Sequence, residues 1–153
     1  MSYKNLRKKS EGFTIIEVLI VLAIAGLIML IVFLAVPALQ RNQRNSSRTS
    51  DVSRILGATQ EVINNSNGSI AGLSTATLNT AVGTPSYYAS TNITVAAGAA
   101  GAVTNTDIVQ VRTGAICGTG TTANQAVAGS SRQIVALFAV EGGGGPISRC
   151  QSS

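Results

Sequence analysis

Residues 18–36 hold no charged or strongly polar side chain, and this one stretch restricts the fold of the chain more than anything else in it. A hydrocarbon core about 30 Å thick is crossed by about 20 apolar residues in a helix. Backbone groups inside lipid must pair within their own segment, so helix is the form the run takes. A cluster of cations precedes it: Lys4, Arg7, Lys8 and Lys9, set against Glu11. Residues 1–12 therefore carry +3 of the formal net charge of +5. The basic balance belongs largely to this leading segment and is not the footprint of a nucleic-acid-binding face. Cations on the first flank predict a cytoplasmic N-terminus and an exported C-terminus. Arg41, Arg44 and Arg48 lie on the opposite flank at spacings near one helical turn, where they can snorkel to outer headgroups.

Beyond Arg41 the helical period continues with a narrower apolar face. Val52, Ile55, Leu56, Thr59, Val62 and Ile63 fall on one stripe, with Asp51, Arg54 and Glu61 off it. The turn formers NNSNGS at 64–69 stop the helix. A helix of about 50 residues is roughly 75 Å long at 1.5 Å per residue, and its apolar stripe needs a cover. Strands are expected at 86–95, 107–112 and 133–140, with a short last strand at 147–150. Residues 96–106 read as a loop, and EGGGGP at 141–146 turns the chain. The expected fold is α+β: a long N-terminal helix, hydrophobic then amphipathic, packed against a small antiparallel sheet. The expected segments are a leader at 1–12, a hydrophobic helix at 13–40, its amphipathic continuation at 41–64, and a β-rich head at 65–153.

The composition argues against catalysis. There is no His, which removes the commonest general base and metal ligand. No Lys follows Lys9, and Asp107 and Glu141 are the only acids after Glu61, so neither an enzyme site, a metal site nor a cofactor is expected. The two cysteines, Cys117 and Cys150, are too few for a Cys-rich zinc site. They either bridge or pack as small apolar side chains. An exported location and the near-terminal position of Cys150 favour the bridge, which would close a loop of about 30 residues worth roughly 3–4 kcal/mol. Asn-x-Ser/Thr triplets at Asn45, Asn64, Asn67 and Asn92 are expected by chance in so Asn/Ser/Thr-rich a chain and carry no weight.

The segment KKSEGFTIIEVLIVLAIAG at 8–26 resembles the N-terminus of type IV pilins and pseudopilins. The resemblance covers roughly the first third of the chain. It implies that a prepilin peptidase on the cytoplasmic face cuts after Gly12 and N-methylates the new first residue, Phe13. Glycine also suits a cut site physically, because no side chain obstructs the approach of the backbone. Once the leader is gone, the apolar run has no polar anchor behind it and can slide from lipid into a protein bundle.

Glu17 occupies the place of the family's glutamate near the new N-terminus. A carboxylate there costs a few kcal/mol in lipid and needs a partner. The resemblance implies the Phe13 amine of a neighbouring subunit, a pair that sets register more than stability. Alternatively, Glu17 reaches headgroups as an interfacial carboxylate. Gly26 matches a recurrent glycine. Pro37 lies about one helical turn later than the family's usual proline. Pro37 removes a backbone hydrogen bond and crowds the Phe33 carbonyl. It either kinks the helix at the membrane boundary or, with Gly26, bounds a stretch that loosens in the filament.

The resemblance implies a structural subunit, a major pilin, that forms a homopolymer through its N-terminal helices, with prepilin peptidase and pilus assembly machinery as partners. The precursor would sit in the cytoplasmic membrane and the product in an extracellular pilus serving motility, adhesion or DNA uptake. A pseudopilin of a secretion or competence system shares the same N-terminus. The cysteine pair leans toward pilin, because the major secretion pseudopilins usually rely on bound calcium, for which acids are scarce here. An ordinary secreted protein fits less well, since a general secretory signal has an apolar region of only about 7–15 residues.

Overall fold

A computed structural model describes residues 12–83, 87, 88 and 92–153. Its backbone divides into two compact units, one ending at Gln40 and one comprising Arg41–Ser153. Helix α1, Ile15–Asn65, supplies the helical part of the first unit and the first element of the second.

In the first unit every described side chain is exposed. Large apolar groups point outward on all sides, from Phe13 at 90 % exposure through Leu39. A helix that is apolar all round is a buried or membrane-spanning helix by composition, and this one is long and apolar enough to cross a bilayer. The helix is unbroken at Gly26 and at Pro37.

In the second unit α1 buries Val52, Ile55, Leu56, Thr59 and Ile63 of the expected seam, with Val62 partly buried beside them. Thr59 is tolerated there because its hydroxyl donates to the Ile55 carbonyl at 2.7 Å. The helix ends where Asn67 and Gly68 take positive φ of 54° and 78°. That geometry lets the Gly68 N–H donate back to the Ile63 carbonyl at 2.9 Å, satisfying a carbonyl that the helix end would otherwise leave open. A single 3₁₀ turn, Ile70–Gly72, leads to a second helix, α2, Thr75–Val82. Ser74 and Thr77 close α2 with a reciprocal capping box. The sequence reading missed this element because Thr stands where the usual Glu or Gln would be.

A four-stranded sheet covers the seam. Its strands are β1, Ile93–Ala97; β2, Val109–Thr113; β5, Ile134–Gly142; and β6, Gly145–Ser152, in the order β1-β2-β5-β6. The expected antiparallel sheet is in fact mixed, because β1 pairs parallel to β2 while the other neighbours are antiparallel. The first expected strand at 86–95 is present only as β1, which begins later and takes in Ala96 and Ala97 from the expected loop. Ser86 and residues 89–91 lie outside the described residues. A separate pair, β3, Ala115–Cys117, and β4, Ala126–Ala128, forms a second small sheet that the sequence reading also missed.

The seven residues from Ile134 to Val140 of β5 are buried on both faces, which explains their unbroken apolar run. Ile134, Ala136, Phe138 and Val140 face α1 and α2 together with Val109 and Val111. Val135, Leu137 and Ala139 face the other way, onto Val103, Ala115 and Ala126. The head is therefore three layers deep, and the sheet is its middle layer.

Candidate functional site

The start of α1 is built by four residues, Thr14-Ile15-Ile16-Glu17. The Thr14 N–H donates to Glu17 Oε2 at 2.8 Å, and the Thr14 hydroxyl donates to the same oxygen at 2.7 Å. The Glu17 N–H in turn approaches Thr14 Oγ1 at 3.4 Å. This is a capping box, in which a hydroxyl and a carboxylate three residues apart satisfy each other's backbone donors. A carboxylate also suits the positive end of the helix dipole. Glu17 thus has a partner within its own chain, a partner legible in the T-x-x-E spacing that the sequence reading did not use. Phe13 lies immediately outside the cap and is exposed. Among the described residues nothing lies within 4 Å of a Cβ built at Gly12.

Residues 7–33 match the prokaryotic N-terminal methylation motif. The chain carries the leader signature of type IV pilins and pseudopilins. Gly12, Phe13, Glu17 and Gly26 of this pilin-type N-terminus all lie inside the matched segment, and Pro37 lies beyond it. The signature implies processing by a prepilin peptidase for a pilus or pseudopilus system. No curated protein and no solved structure matches the chain.

The head holds a second polar constellation, on the helix just past the apolar run. Arg48 is 1 % exposed. Its guanidinium lies 2.9 Å from Glu141 Oε1, donates to Asn45 Oδ1 at 3.0 Å and to the Tyr87 hydroxyl, and stacks 4.3 Å from the Tyr87 ring centroid. Arg44 reaches the same Glu141 carboxylate through two bonds, Nε at 2.8 Å and Nη2 at 2.5 Å. The Asn45 side chain closes a two-way pairing with the backbone of Glu141, donating to its carbonyl at 2.9 Å and accepting from its N–H at 2.8 Å. In this way Asn45 substitutes for a strand partner at the end of β5. Asp51, also 1 % exposed, accepts the Tyr87 N–H at 2.6 Å and lies 3.6 Å from Arg54.

These contacts correct two sequence expectations. Arg44 and Arg48 are engaged in the head rather than free to reach headgroups, because Glu141 offers both a carboxylate in partial shelter. Asp51, read as lying off the buried stripe, is buried, because the Tyr87 backbone and Arg54 replace its water. The hydrogen bonds from Arg44 hold the Glu141 carboxyl down at about 2 despite the opposing effect of burial, and Arg48 adds to the shift. Glu141 in turn raises Arg44. Burial pushes the neighbouring Tyr88 phenol upward, and its hydroxyl has no partner among the described residues.

Cys117 on β3 and Cys150 on β6 form a disulfide with their Cα atoms 5.6 Å apart. The bridge ties the β3–β4 pair to the sheet edge beside the second core cluster. Among the described residues no group of three or more His, Cys, Asp or Glu stands close enough to hold a metal ion.

Proposed function

We propose that the chain is the precursor of a structural subunit that polymerises into a type IV pilus. The observation that carries this reading is an uncovered helix just behind Phe13, free of charged and strongly polar side chains over 18–36, most of that run inside the segment that matches the methylation motif. Cutting after Gly12 removes Lys4, Arg7, Lys8 and Lys9 from before that helix. The new N-terminus then has no charged side chain before Glu17, so the helix can leave lipid for a bundle of like helices. Van der Waals packing in that bundle replaces lipid contacts. Glu17 and the new Phe13 amine set the axial register between neighbours. The stretch from Gly26 to Pro37 is where the helix loosens or bends on assembly. The head projects outside the membrane before assembly and outside the helix bundle after it.

Mass spectrometry of the surface-exposed protein tests the processing step. The expected N-terminal peptide begins with N-methyl-Phe13, and an intact peptide spanning 8–13 in that material overturns the reading. The Cys117–Cys150 bridge favours pilin over the calcium-dependent secretion pseudopilins. Electron microscopy of sheared filaments, with this chain identified in them, separates the two.

A further inference from the structure

We infer that the groove between α1 and β6 receives the solvent face of α1 from a second copy, with Arg149 of one copy paired to Glu61 of the next. The inference rests on the filament reading and gives it a specific head-to-tail contact.

The carboxylates of the described residues single out Glu61. Glu17 is bonded to Thr14, Asp51 to Tyr87 and Arg54, Asp107 to Thr106, and Glu141 to Arg44 and Arg48. Glu61 has no such partner among the described residues, and it is exposed on the side of α1 opposite the buried seam. One turn earlier, Gly57 leaves that face low, with nothing within 4 Å of an added Cβ.

The complementary surface lies elsewhere in the head. An open groove of about 700 Å³ runs between α1 and β6, with Ser46, Thr49 and Ser53 along one wall, Phe138 at its base, and Arg149 and Gln151 along the other. Arg149 is exposed and has no carboxylate partner among the described residues. Hydroxyl and amide walls around Arg149 suit a polar helix face that presents Glu61, on which the other exposed charge, Arg54, lies two turns away and is paired with Asp51. They do not suit the apolar segment at 13–40, which would leave them unpaired.

Geometry excludes the pairing within one copy. Gln151 donates to Ser53 Oγ at 3.0 Å, and Gln60 is bonded to Ser153, so β6 runs alongside α1 in the same direction. Arg149 sits two strand residues before the Ser53 level, about 7 Å back. Glu61 sits eight helical residues beyond that level, about 12 Å forward. The two are therefore roughly 19 Å apart along the helix, well beyond the reach of an arginine. A second copy displaced by that distance brings them together. A contact made by displacement is heterologous and propagates into an open filament. Arg132 does not serve the same purpose, because it lies beside Gln60 and Asn64 at the level of Glu61 itself and provides no axial step.

The test uses the full chain in cells that assemble it. Arg149→Glu and Glu61→Arg should each lower the yield of sheared filaments by about tenfold or more, since like charges then face each other. The double variant should recover most of the loss. Membrane subunit level and Cys117–Cys150 oxidation report folding in each case. A photo-crosslinker at position 61 should capture the peptide containing Arg149 from another copy in wild-type-length filaments. Unchanged yield in both single variants, failure of the double variant to recover with folded subunits present, or a crosslink found only in closed dimers each overturns the contact. Absence of filaments from the unaltered chain instead overturns the filament reading on which it rests.

Discussion

Glu141 carries more of the head's organisation than any other ionised residue, because two arginines and an asparagine from α1 converge on it. Its folded carboxyl sits at about 2 against an ordinary value of 4.5. The stabilisation from this group is therefore complete above about pH 4.5 and is lost as pH falls through about 2. The thermal midpoint of the full chain in micelles, followed by circular dichroism, should accordingly show a decline toward pH 2 that Glu141→Gln flattens. A decline of equal steepness in the variant would remove Glu141 from this role. The arginine spacing at 44 and 48 was visible in the sequence, and so was the scarcity of acids. What the sequence could not reveal is that the partner lies almost a hundred residues away, since pairing across a sheet end leaves no periodicity. The Thr14–Glu17 cap was the reverse case, a local spacing rule sufficient to find it.

At the scale of elements, the disulfide fastens β6, an edge strand, to a layer that packs against the opposite face of the sheet from α1. With the cysteines 33 positions apart in sequence, removing the bridge should cost about 4 kcal/mol in the chain-entropy account. Urea unfolding of Cys150→Ser, or of the reduced protein, should show the midpoint falling accordingly, with β6 the first strand to exchange its amide hydrogens. An unchanged midpoint would mean that β6 is held by its pairing to β5 alone. Strands rich in alternating or continuous apolar residues, β2 and β5, were legible because burial pattern follows sequence pattern there. The parallel direction of β1 was not legible, because its five residues are compatible with either direction. The β3–β4 pair is three residues per strand and too short to show a period.

For the whole molecule, the N-terminal segment and the head answer to different chemistry, and a variant can separate them. Glu17→Ala should leave membrane insertion and leader cleavage intact, because neither the apolar run nor Gly12 changes. Filament yield should fall, because the proposed pairing of Glu17 with the Phe13 amine of a neighbour is lost. Immunoblotting for the processed form beside microscopy of sheared material reads both, and normal filament yield would count against the register role. The methylation motif was readable in full because it is written in consecutive residues, whereas the groove beside β6 exists only after folding. The contacts between α1 and the β5–β6 hairpin have a mechanical meaning. Arg44 and Asn45 hold Glu141, Ser53 holds Gln151, and Gln60 holds Ser153. A pull along α1 loads these attachments side by side, so they share the tension and yield together instead of unzipping one after another.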